Sequence, residues 1–501
     1  MINFGEYLPD MPPLDNPGLL DARNVFPGST GYRPVPAATP YSTNTLDTRP
    51  QGAFSVTDNT PNAQIYTFVG TSDKLYQLDI NSWTNVSKGG GYATTEEDDW
   101  EFVHWGNDVI ATNFSDEIQS ITLGDSNFAD LSGDAPKAAH ITTVKDFLVV
   151  GNTYDSSDGY QPQRVRWAGI GSSTSWNVSA TTQADFQDLK NDGGAIQKII
   201  GGEFGLIFQK SAITRMSYIG SPLIFQFDLL ESQRGVLSPG SVIKVGNDVY
   251  YLGQDGFFVF GRDPARPTST QRSFPIGDGK IDETFFNEVD FTYINRMSVA
   301  LYPLENVIVW SYVSIQATGG MPDTLLFYNY SPNATTKWSY AKIDNFLVLN
   351  PIAHGYTLDG LDVVTTNLDE LPYSLDSHVW QGTTEVLGTI DSNLGLSLLN
   401  GDPLDATIQT GEAWLQSPSR TYISLIRPHI DQCSGAITAQ IGTRNLESES
   451  ASYGAISTLN VAGEIPVRAN ARFMRAKFNI TGNFNVAQGF DILKTTPVGR
   501  R

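Results

Sequence analysis

Three features of this 501-residue sequence predict an all-β protein built mainly from one repeated unit. The first is composition: charged residues are only 17%, against about 25% in an average soluble domain, while hydrophobic residues reach 40% and aromatics 11%. Ser, Thr, Asn and Gly fill the difference, and together with Val, Ile, Tyr, Phe and Trp they suit short strands and tight turns rather than helices. The second is a turn-and-strand pattern that recurs through the middle of the chain. The third is the absence of that pattern from the first fifty residues and from the region after Gly388. A chain this long outgrows a single hydrophobic core, so two or more units are expected.

Seven β-rich runs align with one another: QIYTFVG from Gln64, DVIATN from Asp108, DFLVVGN from Asp146, FGLIFQ from Phe204, DVYYLG from Asp248, NVIVWSY from Asn306 and DVVTTN from Asp362. Their starts lie 44, 38, 58, 44, 58 and 56 residues apart. That spacing matches the roughly 40 to 50 residues of a four-stranded propeller blade with loop insertions. Segments such as WEFVHW, AAHITTV, AIQKII and SVIKVG precede the runs as inner strands, and KLYQLD, ITRMSYIG, FFVFGR and TLLFYNY follow as third strands. Trp83, Trp176 and Trp338 close three units, where an indole can cover a blade edge and pack on its neighbour. The expected fold is a β-propeller of about seven blades over residues 51–385. A second, smaller β domain is expected from an N-terminal arm, 1–50, packed on a C-terminal β platform, 386–501, whose longer strands include ISLIRPHI and RFMRAKFNI.

The formal net charge is −22, which argues against a protein that grips nucleic acid by neutralising phosphates. Residues 420–501 hold ten Lys or Arg and five Asp or Glu, a net +5, which leaves −27 on residues 1–419. The basic end reads as a contact surface for acidic neighbours. Cys433 is the sole cysteine, so neither an intramolecular disulfide nor a Cys-based zinc site is expected. The opening MINFGEYLPDMPPLD has no basic or apolar leader region, and no stretch of about 18 apolar residues occurs, so the chain is expected to be made in the cytoplasm without membrane insertion.

The search for chemistry yields little. The five histidines, 104, 140, 354, 378 and 429, show no metal-ligand spacing, and Gly277-Asp278-Gly279-Lys280 lacks the frame of a phosphate-binding loop. Asp155-Ser156-Ser157-Asp158-Gly159 lacks the alternating ligands of a calcium loop. The run TEEDD, Thr95 to Asp99, sets four carboxylates before Trp100; a hydrolase would need two of them at a fixed separation in a cleft. No catalytic, cofactor-binding or metal-binding residue is therefore assigned, and no cofactor is expected.

The string PLDNPGLLDARNVFP, Pro13 to Pro27, followed by Gly31-Tyr32-Arg33-Pro34, resembles the opening of tail-nozzle proteins of short-tailed bacteriophages. The resemblance continues through WTNVSKGGGY from Trp83, VRWAGIGSSTSW from Val165, GGEFGLIFQKSAITRMSYIGSP from Gly201 and VYYLGQDGFF from Val249, to the Gly-Arg-Arg end. It implies a non-enzymatic virion subunit in a homo-oligomeric ring, usually a hexamer, beneath the portal and head–tail adaptor. Tail fibre or needle proteins are the implied partners, with genomic double-stranded DNA passing through the lumen without specific binding. Two other readings stand beside it: a carbohydrate-binding propeller and a propeller glycoside hydrolase.

Overall fold

Side-chain patterning sets the strands. Along Ile465–Ala471 buried and exposed residues alternate, as a strand with one wetted face requires, whereas Val307–Tyr312 is buried throughout because both of its faces are covered. The computed structural model describes residues 1–14, 16–59, 65–261, 271–354, 384–415 and 419–499. The fold is all-β. Among the described residues the α-helical content is the single short helix Asp282–Glu288.

Six antiparallel four-stranded arrangements follow one another along the chain, at 50–85, 101–130, 137–188, 196–232, 243–275 and 298–342, each with its strands paired in sequence order. We number them units 1 to 6. The runs from Gln64, Asp108, Asp146, Phe204, Asp248 and Asn306 supply their second strands. The run from Asp362 lies outside the described residues. Unit 7 joins Asn345–His354, Thr384–Asp391 and Gly395–Pro403 to an outer strand, Pro36–Thr45, from the other end of the chain. Ser397 stands opposite Pro40 and Leu398 opposite Thr39.

This pairing cuts across the boundaries expected at 50/51 and 385/386. Residues 36–45 and 384–403 belong to one sheet, since the apolar strand Gly395–Leu399 needs an edge partner and the arm provides it. Local periodicity cannot reveal an antiparallel partner some 350 residues away.

Apolar clusters join each unit to the next. Phe68 and Val109 share a cluster between units 1 and 2, Ile110 and Leu148 one between 2 and 3, and Phe147 and Ile207 one between 3 and 4. Phe208 meets Tyr251 between 4 and 5, Phe257 meets Trp310 between 5 and 6, and Val309 meets Leu387 between 6 and 7. The seventh interface returns to the start, where Leu349 and Ile390 pack with Val69 and Trp83 of unit 1. Close approach at the inner strands requires glycine. A Cβ on Gly240, ahead of unit 5, would strike the carbonyl of Met297 ahead of unit 6.

Both chain ends build the remaining sheets. Val25–Pro27, Tyr32–Pro34, Val486–Pro497, Thr421–Asp431 and Ile465–Ala471 form one, with Ile2–Asn3 added on Val486–Pro497. The other extends unit 6: its outer strand, Trp338–Lys342, meets Leu19–Arg23 through a parallel bridge, and Ala406–Thr410, Phe473–Ile480 and Ile437–Arg444 follow. Phe4, Phe478 and Phe490 pack between these two sheets, with ring centroids 5.2 to 6.3 Å apart.

Candidate functional site

Segments at the first strands of units 1, 2, 4, 5, 6 and 7 line a cavity of about 260 Å³, here called the hub, where unlike charges gather. Arg49, Gln51, Asp99, Glu101, Lys198 and Arg296 all line it. The acidic run noted in the sequence is tied to residues that line it, and Asp99 lines it directly. Gln51 Nε2 donates to the carbonyls of Thr95 (2.5 Å) and Asp98 (2.8 Å), and the Asp98 carboxylate accepts from Thr95 Oγ1 (2.8 Å) and Ser115 Oγ (3.1 Å). Glu96 pairs with Arg296 at 3.0 Å, while its carbonyl accepts from Arg49 at 2.9 Å. Trp100 turns inward and donates to the carbonyl of Thr71 at 2.8 Å.

Glu101 is the most fully engaged of these carboxylates. Oε1 accepts from Lys198 Nζ and His140 Nδ1, each at 2.8 Å, and Oε2 accepts from the Ile141 amide at 3.2 Å. The other ring nitrogen of His140 lies 3.2 Å from the carbonyl of Ile196, so both nitrogens face oxygens. Burial pushes the Glu101 carboxyl up, but the charges and hydrogen bonds of Lys198 and His140 outweigh it and hold the group at about 2. Asp99 behaves in the opposite way. Burial raises it to about 7; Arg49 and Lys198 pull it down, and Glu101 and Asp98 push it further up. A second cavity of about 170 Å³ shares Asp99 and Glu101 and reaches His140 and Asn113.

Two carboxylates with values driven apart resemble an acid–base pair. The resemblance stops at contacts: Glu101 has both oxygens engaged by fixed donors, so the pair presents one available carboxylate, Asp99.

No protein-family model matches the chain, and no curated protein matches it. Among solved structures it is similar to the extracellular domain of a putative hybrid two-component system from B. thetaiotaomicron, at 10% identity and a TM-score of 0.41. The alignment covers 87% of this chain and 47% of that one, so the chain spans about half the length of that structure.

The other sequence candidates have local structural partners. In the Asp155–Gly159 loop, Asp155 Oδ1 accepts from the amides of Ser157 and Asp158, and Asp155 and Asp158 pair with Arg166 and Arg164 at 3.3 and 2.5 Å. Gly277-Asp278-Gly279-Lys280 leads into the helix; Lys280 pairs with Glu6 at 3.1 Å and Asp10 accepts from the amides of Glu283 and Thr284. His429 meets Asp491 at 2.8 Å, and the buried Nε2 of His104 has no partner. His378 and the side chain of His354 lie outside the described residues. Among the described residues no three His, Cys, Asp or Glu side chains gather as metal ligands. Trp83, Trp176 and Trp338 are buried between units, so none offers an open face to a sugar.

Sequence reading missed Arg49, Gln51, Lys198 and Arg296. They are far apart in the chain and carry no shared motif. Glu101 did leave a signal: it sits on the same strand face as Val103 and Trp105, an acidic residue in an otherwise apolar row.

Proposed function

We propose that this chain is a structural subunit of a short-tailed phage tail, a nozzle protein whose copies form a ring below the portal and adaptor. In this reading units 1 to 7 are the blades of a seven-bladed β-propeller, latched by residues 36–45, and the two remaining sheets are the platform. The observation that carries the reading is the position of the segment from Pro13 to Pro34 on which the family resemblance rests. Its strands enter both platform sheets and join them to unit 6. Asn329 Nδ2 donates to the Pro27 carbonyl (2.7 Å), Ser339 Oγ to Val25 (2.6 Å) and the fully buried Tyr32 hydroxyl to Gly5 (2.9 Å). A stapled ring and platform suits a load-bearing part.

Exposed apolar groups support contacts with other tail proteins: Ile219 and Leu223 at the outer hairpin of unit 4, and Leu446, Ile456 and Val461 at the platform edge. The excess of carboxylates in residues 1–419 suits a wall that repels DNA phosphates, with the basic end serving subunit or adaptor contacts. The glycoside hydrolase reading loses support from Glu101, both of whose carboxylate oxygens are engaged.

Immunogold electron microscopy of intact particles with an antibody to this chain tests the proposal. Label at the tail, and rings in averages of the purified chain, are expected. Label confined to the host surface, or a chain that stays monomeric at every concentration, overturns it.

A further inference from the structure

The N-terminal arm passes over the start of the helix Asp282–Glu288 as a short strap. It is fixed at one end by Leu8, whose amide donates to the Leu19 carbonyl (2.8 Å), and at the other by Pro13, whose carbonyl accepts from the Glu412 amide (2.6 Å). Among the described residues, every hydrogen bond from residues 9–12 to the helix and the loop before it runs through Asp10. Its amide donates to the Lys280 carbonyl (3.2 Å), Oδ2 accepts from the Glu283 amide (2.8 Å), and Oδ1 accepts from the amide and hydroxyl of Thr284 (2.8 and 2.6 Å). The helix has no cap of its own, since Ile281 stands at the N-cap, so the arm supplies one.

Next to this contact lies the carboxylate of Asp282, 8% exposed, in a narrow slot: a Cβ on Gly256 or Gly277 would stand 2.1 or 2.0 Å from its oxygens. Oδ1 accepts from the Phe257 amide at 3.1 Å. Among the described residues no cation pairs with it, because Lys280, two positions earlier, is taken by Glu6 at 3.1 Å. The charges that face it are Asp10 on the arm, Asp278 on the loop before the helix and Asp255 on the turn ahead of Phe257, all acidic; Glu283 on the helix is exposed. Burial, with these three carboxylates, outweighs the Phe257 amide and raises the Asp282 carboxyl to about 7.

We propose that Asp282 is a proton-operated catch for the strap. With Asp282 neutral, the Asp10 carboxylate keeps its place on the helix amides. Once Asp282 is ionised, two neighbouring carboxylates with no cation between them repel, and lifting residues 9–12 from the helix relieves the repulsion. Because the folded value stands above the ordinary 3.8, the closed strap is at full strength below that value and weakens as the pH rises through about 7. The catch is independent of the tail reading.

Hydrogen exchange of the full chain, resolved at the Glu283 and Thr284 amides and corrected for the intrinsic rate, tests it between about pH 5.5 and 8.5. Protection in the parent should fall about tenfold or more across this range. Asp282→Asn and Asp282→Ser should each hold it constant within about threefold, and either alone decides if the other does not fold. Asp10→Ala should leave protection low at every pH. Asp99→Asn removes the other carboxyl that titrates near 7 and should keep the parent's fall. Flat protection in the parent, a fall that survives either substitution at Asp282, high protection in Asp10→Ala, or a fall that disappears in Asp99→Asn overturns the proposal.

Discussion

Replacing Glu101 by Gln removes one charge and leaves two partners facing an empty position. Lys198 and His140 remain close to a neutral amide, and the amide group has one oxygen where the carboxylate had two acceptors at 2.8, 2.8 and 3.2 Å. The fall of the Glu101 carboxyl from 4.5 to about 2 corresponds to roughly 3 kcal/mol, at about 1.36 kcal/mol per pH unit. Glu101 is only 9% exposed, so little of this is screened, and it agrees with the about 3 to 5 kcal/mol typical when one member of a buried pair is removed. Because the folded value lies below the ordinary one, this stability is complete above pH 4.5 and is lost as the pH falls toward 2. Hydrogen exchange is the suitable assay, since Glu101, Ile141 and Lys198 lie on the first strands of units 2, 3 and 4 and opening there is local. At pH 7 the variant should exchange roughly a hundredfold faster in these strands, at tenfold per about 1.4 kcal/mol. Adding Lys198→Met should restore part of the protection by removing the orphaned ammonium. Exchange within threefold of the parent at Ile141 refutes the view that this carboxylate ties the three strands together.

Three further outcomes follow from other parts of the molecule. Asp99 is raised from 3.8 to about 7, so the folded state keeps a proton that the unfolded chain loses, and stability falls as pH rises through that window. Asp99→Asn should therefore be the more stable form at pH 8, by up to about 4 kcal/mol less what cavity water screens, with the advantage gone below pH 4 in urea melts. Trp338→Ala should cost about 3 to 5 kcal/mol in the same melts, because the fully buried indole packs on Tyr328, Phe257 and Trp310; a loss under 1 kcal/mol contradicts its place between units 5 and 6. The purified chain should not retain duplex DNA on filters even at low salt, given its net charge of −22, and salt-sensitive retention would count against a repelling channel wall.

The repeated units were legible because their signal is local. Asp108–Thr112 and Asp248–Leu252 each follow a two-residue Gly-Asn turn and pair with the strand just before them, so turn chemistry and apolar runs suffice to place them. The closing strand was not legible. Pro36–Thr45 reads PAATPYSTNT, mostly small and polar, and its partner, Gly395–Pro403, lies far along the chain. The acidic run illustrates the limit at the site. Thr95 to Asp99 could be seen as charge, yet only the fold decides that Glu96 and Glu97 face water, Asp98 ties down the loop and Asp99 enters the cavity.

Completion of unit 7 and the hub are consequences of one segment. After Pro36–Thr45 completes unit 7, the chain crosses between units 7 and 1: Leu46 donates its amide to the Leu394 carbonyl, and Asp47 pairs with Lys74. It then delivers Arg49 and Gln51 to the hub before running on as the first strand of unit 1, Pro50–Thr57. Without Pro36–Thr45 in place, Gly395–Pro403 would be a bare edge strand, and Arg49 and Gln51 would be displaced from Asp99, which is set by unit 2. The polar groups of the cavity thus assemble only when the strand spanning both chain ends is in place. Gln51, buried at 3% exposure, combines a structural amide nitrogen with an unpartnered oxygen. Its nitrogen ties the Thr95–Asp98 loop to the first strand of unit 1, while its oxygen is sealed from solvent without a partner.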